Sequence, residues 1–105
     1  MIGSLKERVE ILKPLRVEDG GGGYEIAYAS LGDVPALAEG ERAGEDRSLG
    51  RARFVRKRRF TIRRRDDIVF EMRLRHGGRA YRITDIQNTG REGSFTLIRG
   101  EEVTA

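Results

Sequence analysis

The residues able to do covalent or acid–base chemistry are few and scattered. His76 is the only histidine, and cysteine is absent. Cys–His catalysis, disulfides and Cys-ligated zinc or iron–sulfur sites are therefore excluded. His76 precedes Gly77-Gly78 at an expected hairpin tip, where its ring should be solvent-exposed, and no second His or Cys completes a metal site. Asp66 and Asp67 are neighbours, so on a strand they point to opposite faces and cannot share a substrate. At a turn they are expected to bond to backbone. Ser4, Ser30, Ser48 and Ser94 stand outside any Gly-x-Ser-x-Gly elbow. The run Gly20-Gly21-Gly22-Gly23 opens onto Tyr24-Glu25-Ile26, a strand pattern, and lacks the Gly-Lys-Ser/Thr ending of a phosphate-binding loop. It reads as a loose turn. The expectation is a protein with no catalytic residue, cofactor or metal, and not an enzyme.

What the sequence does carry is charge, unevenly placed. The chain has 21 Lys+Arg against 17 Asp+Glu, a net charge of +4. Residues 1–50 hold 6 basic and 10 acidic side chains, whereas 51–105 hold 15 basic and 7 acidic. Nine basic residues crowd into 51–65: Arg51, Arg53, Arg56, Lys57, Arg58, Arg59, Arg63, Arg64 and Arg65. Just before them come Glu39, Glu41, Glu45 and Asp46, broken by Arg42. Arginines contact phosphate without reading sequence, so a surface facing DNA is one reading. A contact between an acidic segment and a neighbouring subunit's basic one is another. A solvated strand pair of mixed charge is the third. Aromatics enter the basic segment only at Phe54 and Phe60, and Phe60 fits the core better than a base-stacking platform.

The elements that must position these charges are strands, because the apolar period is two. Val9 and Ile11 alternate with charges until Pro14, which is expected to end the first strand. Tyr24, Ile26 and Tyr28 share a face of the second, and a short strand over 34–37 follows. Phe60-Thr61-Ile62 continues a basic strand that starts near Arg53. Met72-Arg73-Leu74-Arg75 and Arg79-Ala80-Tyr81-Arg82-Ile83 flank the turn His76-Gly77-Gly78-Arg79, and Ser94-Phe95-Thr96-Leu97-Ile98-Arg99 comes last. No window of ten residues shows a helical stripe. Six or seven short strands in one domain spanning 1–105 predict an all-β barrel or sandwich. The segment 38–52, rich in Gly and charge, reads as a long inserted loop, a length usually found in functional or disordered segments. No apolar run approaches the about 20 residues of a membrane span, and no signal-peptide core opens the chain, so a soluble intracellular protein is expected.

Several of these fragments, in this order, resemble the head–tail joining proteins of long-tailed phages and gene transfer agents, also called head-closure or stopper proteins. Leu5-x-x-Arg8-Val9-x-Ile11-x-x-Pro14 is similar to the family's first strand, and Asp19-Gly20-Gly21 followed by Tyr24 to its first hairpin turn. Tyr28 stands where the family often has Trp, Val34-Pro35-Ala36 where a short strand leads into a long loop, and Glu45 near a Gly-x-Glu element. Arg59-Phe60-Thr61-Ile62-Arg63-Arg64-Arg65-Asp66-Asp67-Ile68 looks like the central strand and turn. Met72-Arg73-Leu74 and Gly78-Arg79-x-Tyr81-x-Ile83-x-x-Ile86 look like the closing hairpin. The resemblance covers about 5–99. Trp is absent, which departs from the pattern.

The resemblance implies a structural connector. Such proteins form a ring, here expected with six copies rather than twelve, between a portal or adaptor ring above and a tail terminator below. The ring joins the tail and retains packaged double-stranded DNA. It would sit in the neck of a virion or phage-like particle, assembled in the bacterial cytoplasm, with no membrane partner. The candidate gating loop is then Glu39, Gly40, Glu41, Arg42, Gly44, Glu45, Asp46 and Arg47. The candidate channel-lining or intersubunit strand is Arg51, Arg53, Arg56, Lys57, Arg58, Arg63 and Arg65. The alternative is a small basic β-barrel that binds nucleic acid as a monomer.

Overall fold

The computed structural model describes residues 5–46 and 53–103, with the side chains of 42–46, 53 and 54 outside that description. Six antiparallel strands close into a barrel in the order β1-β2-β3-β6-β5-β4. They are β1 (Glu7–Glu18), β2 (Tyr24–Asp46), β3 (Arg53–Arg63), β4 (Arg73–His76), β5 (Arg79–Thr89) and β6 (Phe95–Glu102). The alternation does its expected work. Val9 and Ile11, Phe60 and Ile62, Leu74, Tyr81, Ile83 and Ile98 all turn inward, with Ile68 and Met72 plugging the space from the β3–β4 connection. Phe60 is fully buried and meets the Tyr81 ring edge-on, with ring centroids 5.4 Å apart. Aromatic pairs favour this geometry. The interior is thus packed side chain, not a pore.

Closure depends on one short seam. β1 meets β4 only at Glu10↔Arg75, Ile11↔Leu74 and Leu12↔Arg73. The β4–β5 turn is the two-residue Gly77-Gly78, both at positive φ (59° and 77°), as a tight twisted hairpin requires.

Two strands run further than the sequence pattern suggests. Pro14 does not end β1. It pairs opposite Tyr28, beyond Leu12 where β4 has stopped, and proline is tolerated on such an edge. The expected separate strands near 24–28 and 34–37 are one 23-residue strand. A bulge opposite Ile11/Leu12 absorbs the irregularity, with Gly32 at φ 107°. Both overlong strands leave the barrel as two-stranded ribbons. The outer part of β1 and β2, residues 13–30, projects from one end. The far part of β2 and the start of β3 project from the other. The radius of gyration is 15.3 Å, against about 13 Å for a compact chain of this length.

The long insertion expected at 38–52 is present, and over its described length it pairs as a β-ribbon. Ala38 through Glu41 pair with Phe60 through Lys57, and after a bulge Gly44, Glu45 and Asp46 oppose Val55, Phe54 and Arg53. Past Ala38, which still packs against the core, the apolar period gives way to Glu39, Gly40 and Glu41. Cross-strand charge pairs replace it.

Candidate functional site

The two barrel ends differ chemically, and most of the described sequence-derived site residues lie toward the end that carries the β2–β3 ribbon, with Arg63 and Arg65 at the far end of β3. Strand alternation splits the basic β3 segment between two faces. Lys57, Arg59, Thr61 and Arg63 face outward. Arg56 and Arg58 share the face of Phe60 and Ile62 but lie past the core, so they rim the barrel's end. There Arg56 Nε sits 3.3 Å from Glu102, and Arg79 donates to the same carboxylate at 2.8 Å. His76 joins this rim. Its side chain is only 14% exposed, it packs edge-on to Phe60, and its Nε2–H donates to Glu7 Oε1 at 2.8 Å. This corrects the expectation of a solvent-exposed tip histidine: the turn folds the ring back over the end of the core.

On the outer wall the acidic and basic segments meet within one chain. Glu39 lies opposite Arg59 in the register, and their charged groups are 3.6 Å apart. Glu41 takes Arg59 Nε at 3.7 Å and accepts from Arg99 at 3.3 Å, and Arg99 Nε is 3.7 Å from Asp85. Arg82 pairs with Glu101 directly across β5 and β6. An interlocked array of exposed charges results, each link of modest worth. The described members of the acidic segment, Glu39 and Glu41, are thus taken by their own strand partner rather than waiting for a neighbour. Lys57, Arg58 and Arg63 have no ion-pair partner among the described residues. Gly40 opposes Arg58, and Arg42 falls in the bulge between Glu41 and Gly44. Arg47 and Arg51 lie outside the described residues.

Arg65 belongs to neither face. It follows β3, and its guanidinium grips Asp67 through two bonds of 2.9 and 2.8 Å. That hydrogen bond holds the Asp67 carboxyl below the usual carboxylate range and raises Arg65. Arg64 pairs likewise with Asp66 at 3.1 Å. The two aspartates thus bind the arginines two positions back, not backbone as the turn reading expected. The glycine run is closed rather than loose. Asp19 Oδ1 accepts from Gly21 N at 2.8 Å and Gly23 N at 3.2 Å, so those amides are already occupied.

The opposite end carries what the sequence reading passed over. On the β1–β2 ribbon, Arg16 lies 3.8 Å over the Tyr24 ring, and Arg73 lies 4.4 Å over Tyr28. Leu15, Val17, Tyr24 and Ile26 stay exposed. The alternation at 24–28 was visible in the sequence, but its apolar face was the signal for a core, and here it stands outside one.

The result is a closed six-stranded barrel with two projecting ribbons that differ in chemistry. No described cluster of His, Asp or Glu converges on a metal position. The chain matches the family described as "Phage head completion protein" over residues 1–103, and it belongs to that family. It is a structural protein of phage particles in that sense. A chain of the solved "Virion of native gene transfer agent (GTA) particle" shares its fold. That chain superposes with a TM-score of 0.73 at 23% identity, covering 95% of this chain and 96% of the other. No curated protein matches the chain.

Proposed function

We propose that the protein is the head–tail connector, or stopper, of a phage or phage-like particle. It forms a ring, with six copies favoured over twelve, between the portal or adaptor above and the tail terminator below. It joins the tail and holds packaged double-stranded DNA, with no chemistry of its own. The observation that carries this reading is the polarity of the molecule. One barrel offers a charged rim with a basic ribbon at one end and an apolar arm at the other, which suits a layer stacked between two different rings. The β2–β3 ribbon is the segment long enough to reach into a channel. Arg56, Lys57 and Arg58 are the described residues that would meet phosphate there.

The alternative, a monomeric nucleic-acid-binding barrel, draws less support. Arg56, Arg59, Arg64, Arg65, Arg75, Arg79, Arg82 and Arg99 all have carboxylate partners within the chain. Electron microscopy of particles made without this gene tests the choice. The connector reading expects tailless heads beside free tails, and emptied heads if the ring also retains DNA. Normal tailed particles would overturn it.

A further inference from the structure

The β1–β2 arm carries exposed apolar side chains between charges on both faces, and the two faces are different. Register and alternation assign them. Pro14 opposes Tyr28, Arg16 opposes Ile26 and Glu18 opposes Tyr24, so these six share one face. Lys13 with Ala29, Leu15 with Ala27 and Val17 with Glu25 make up the other. The first face is concave. Pro14, Arg16, Ile26 and Tyr28, with Leu15 at the edge and Glu71 at the base, line a groove of about 440 Å³. The second is flatter and carries only alanines, Leu15 and Val17 between its charges. Leu15, Val17, Tyr24 and Ile26 are 43 to 53% exposed. A lone two-stranded ribbon is marginal in water, and an apolar one needs cover.

We infer that the arms of successive copies stack face to face around the ring, the flat face of one seated in the groove of the next. This rests on the ring reading above. Rotational symmetry makes every contact head-to-tail, so each copy must present two unlike, complementary surfaces. The arm supplies two such surfaces. The charges agree with the stacking. In a ring all arms point the same way, so base meets base and tip meets tip. At the base, Lys13 on the flat face then meets the next copy's Glu71 beside the groove. Near the tip, Glu25 on the flat face meets the next copy's Arg16. None of these four has an ion-pair partner among the described residues.

The chain has no cysteine, so engineered pairs report cleanly. The test is a K13C/E71C chain assembled into particles, mildly oxidised and run on a denaturing gel. Stacked arms give a ladder of cross-linked chains up to the ring number, while K13C or E71C alone gives monomer. Assembled rings that yield only monomer from the double variant overturn the stacking and leave the ring reading standing. So does a cross-linked dimer from either single variant, or a cross-link to a protein of another size. Particles in which the chain forms no ring overturn both readings.

Discussion

At Gly100 the barrel wall has no room for a methyl group. A Cβ there would stand 3.0 Å from Tyr81 Cβ and 3.2 Å from the Arg82 carbonyl oxygen. Both neighbours are held by the β5–β6 pairing. Gly100→Ala should therefore cost about 1–3 kcal/mol, as overpacking does, read from the denaturant midpoint. Asp67 makes the contrasting case of an exposed residue. Its carboxyl is depressed by Arg65, so the folded state holds that group ionised below the unfolded value. The resulting stability is complete above the unfolded carboxylate pKa of about 3.9 and is lost as pH falls through the folded one. The pair is largely solvent-exposed, so Asp67→Asn should cost no more than about 0.5 kcal/mol at neutral pH. That difference should shrink as pH falls below about 3.9 and through the lower folded value. A cost that persists there would mean Asp67 acts through something other than charge.

Elements were legible where burial imposes a period, and illegible where it does not. Val9 with Ile11 and Phe60 with Ile62 announce their strands because alternate residues must enter the core. Gly77-Gly78 announces its turn because only positive φ fits. The ribbon strands carry no such constraint. Residues 38–46 read as loop because Glu39 and Glu41 are held by Arg59 and Arg99 from other strands, a pairing no local window contains. The same blindness left open whether the acidic segment serves its own chain or a neighbour. Joining Glu41 directly to Lys57 by a two-residue Asn-Gly turn would remove the outer ribbon at a point where the strands already oppose each other. The barrel should keep its thermal midpoint within a few degrees, while heads built with the shortened chain lose DNA. Full retention of DNA would remove the ribbon from the gate. At the other end, Asp19→Ala strips the acceptor from Gly21 and Gly23. Amide exchange at those glycines should speed up while the barrel core stays protected, since ribbon tips open independently of the core.

For the molecule as a whole, net charge is a poor guide to DNA affinity once the ion pairs are known. Most described arginines are neutralised within the chain, so the isolated protein should bind duplex DNA no more tightly than ordinary non-specific contact. That is a dissociation constant of about 10⁻⁴ to 10⁻⁶ M near physiological salt, weakening further as salt rises. Nanomolar binding by the free chain, measured by fluorescence anisotropy, would favour the monomeric nucleic-acid reading. The all-β architecture was readable in outline, as was the resemblance to the family that the match over residues 1–103 bears out. The polarity was not, because it arises from which end each ribbon leaves, a property of the closed topology rather than of any segment.

The seam between β1 and β4 has a mechanical consequence. Three residue pairs close it, while β1–β2 and β2–β3 are joined along most of their lengths. Arg75 bonded to Glu10 at 2.8 Å and His76 bonded to Glu7 are stitches across that gap. A load pulling the two ribbons apart would be shared by many bonds along β1–β2 and β2–β3 but by few on either side of β4, where β5 is also tied by its turn and β1 is not. The barrel should yield first by unzipping at Ile11 and Leu74, opening into a flat sheet whose two new edges can rejoin when the load is released.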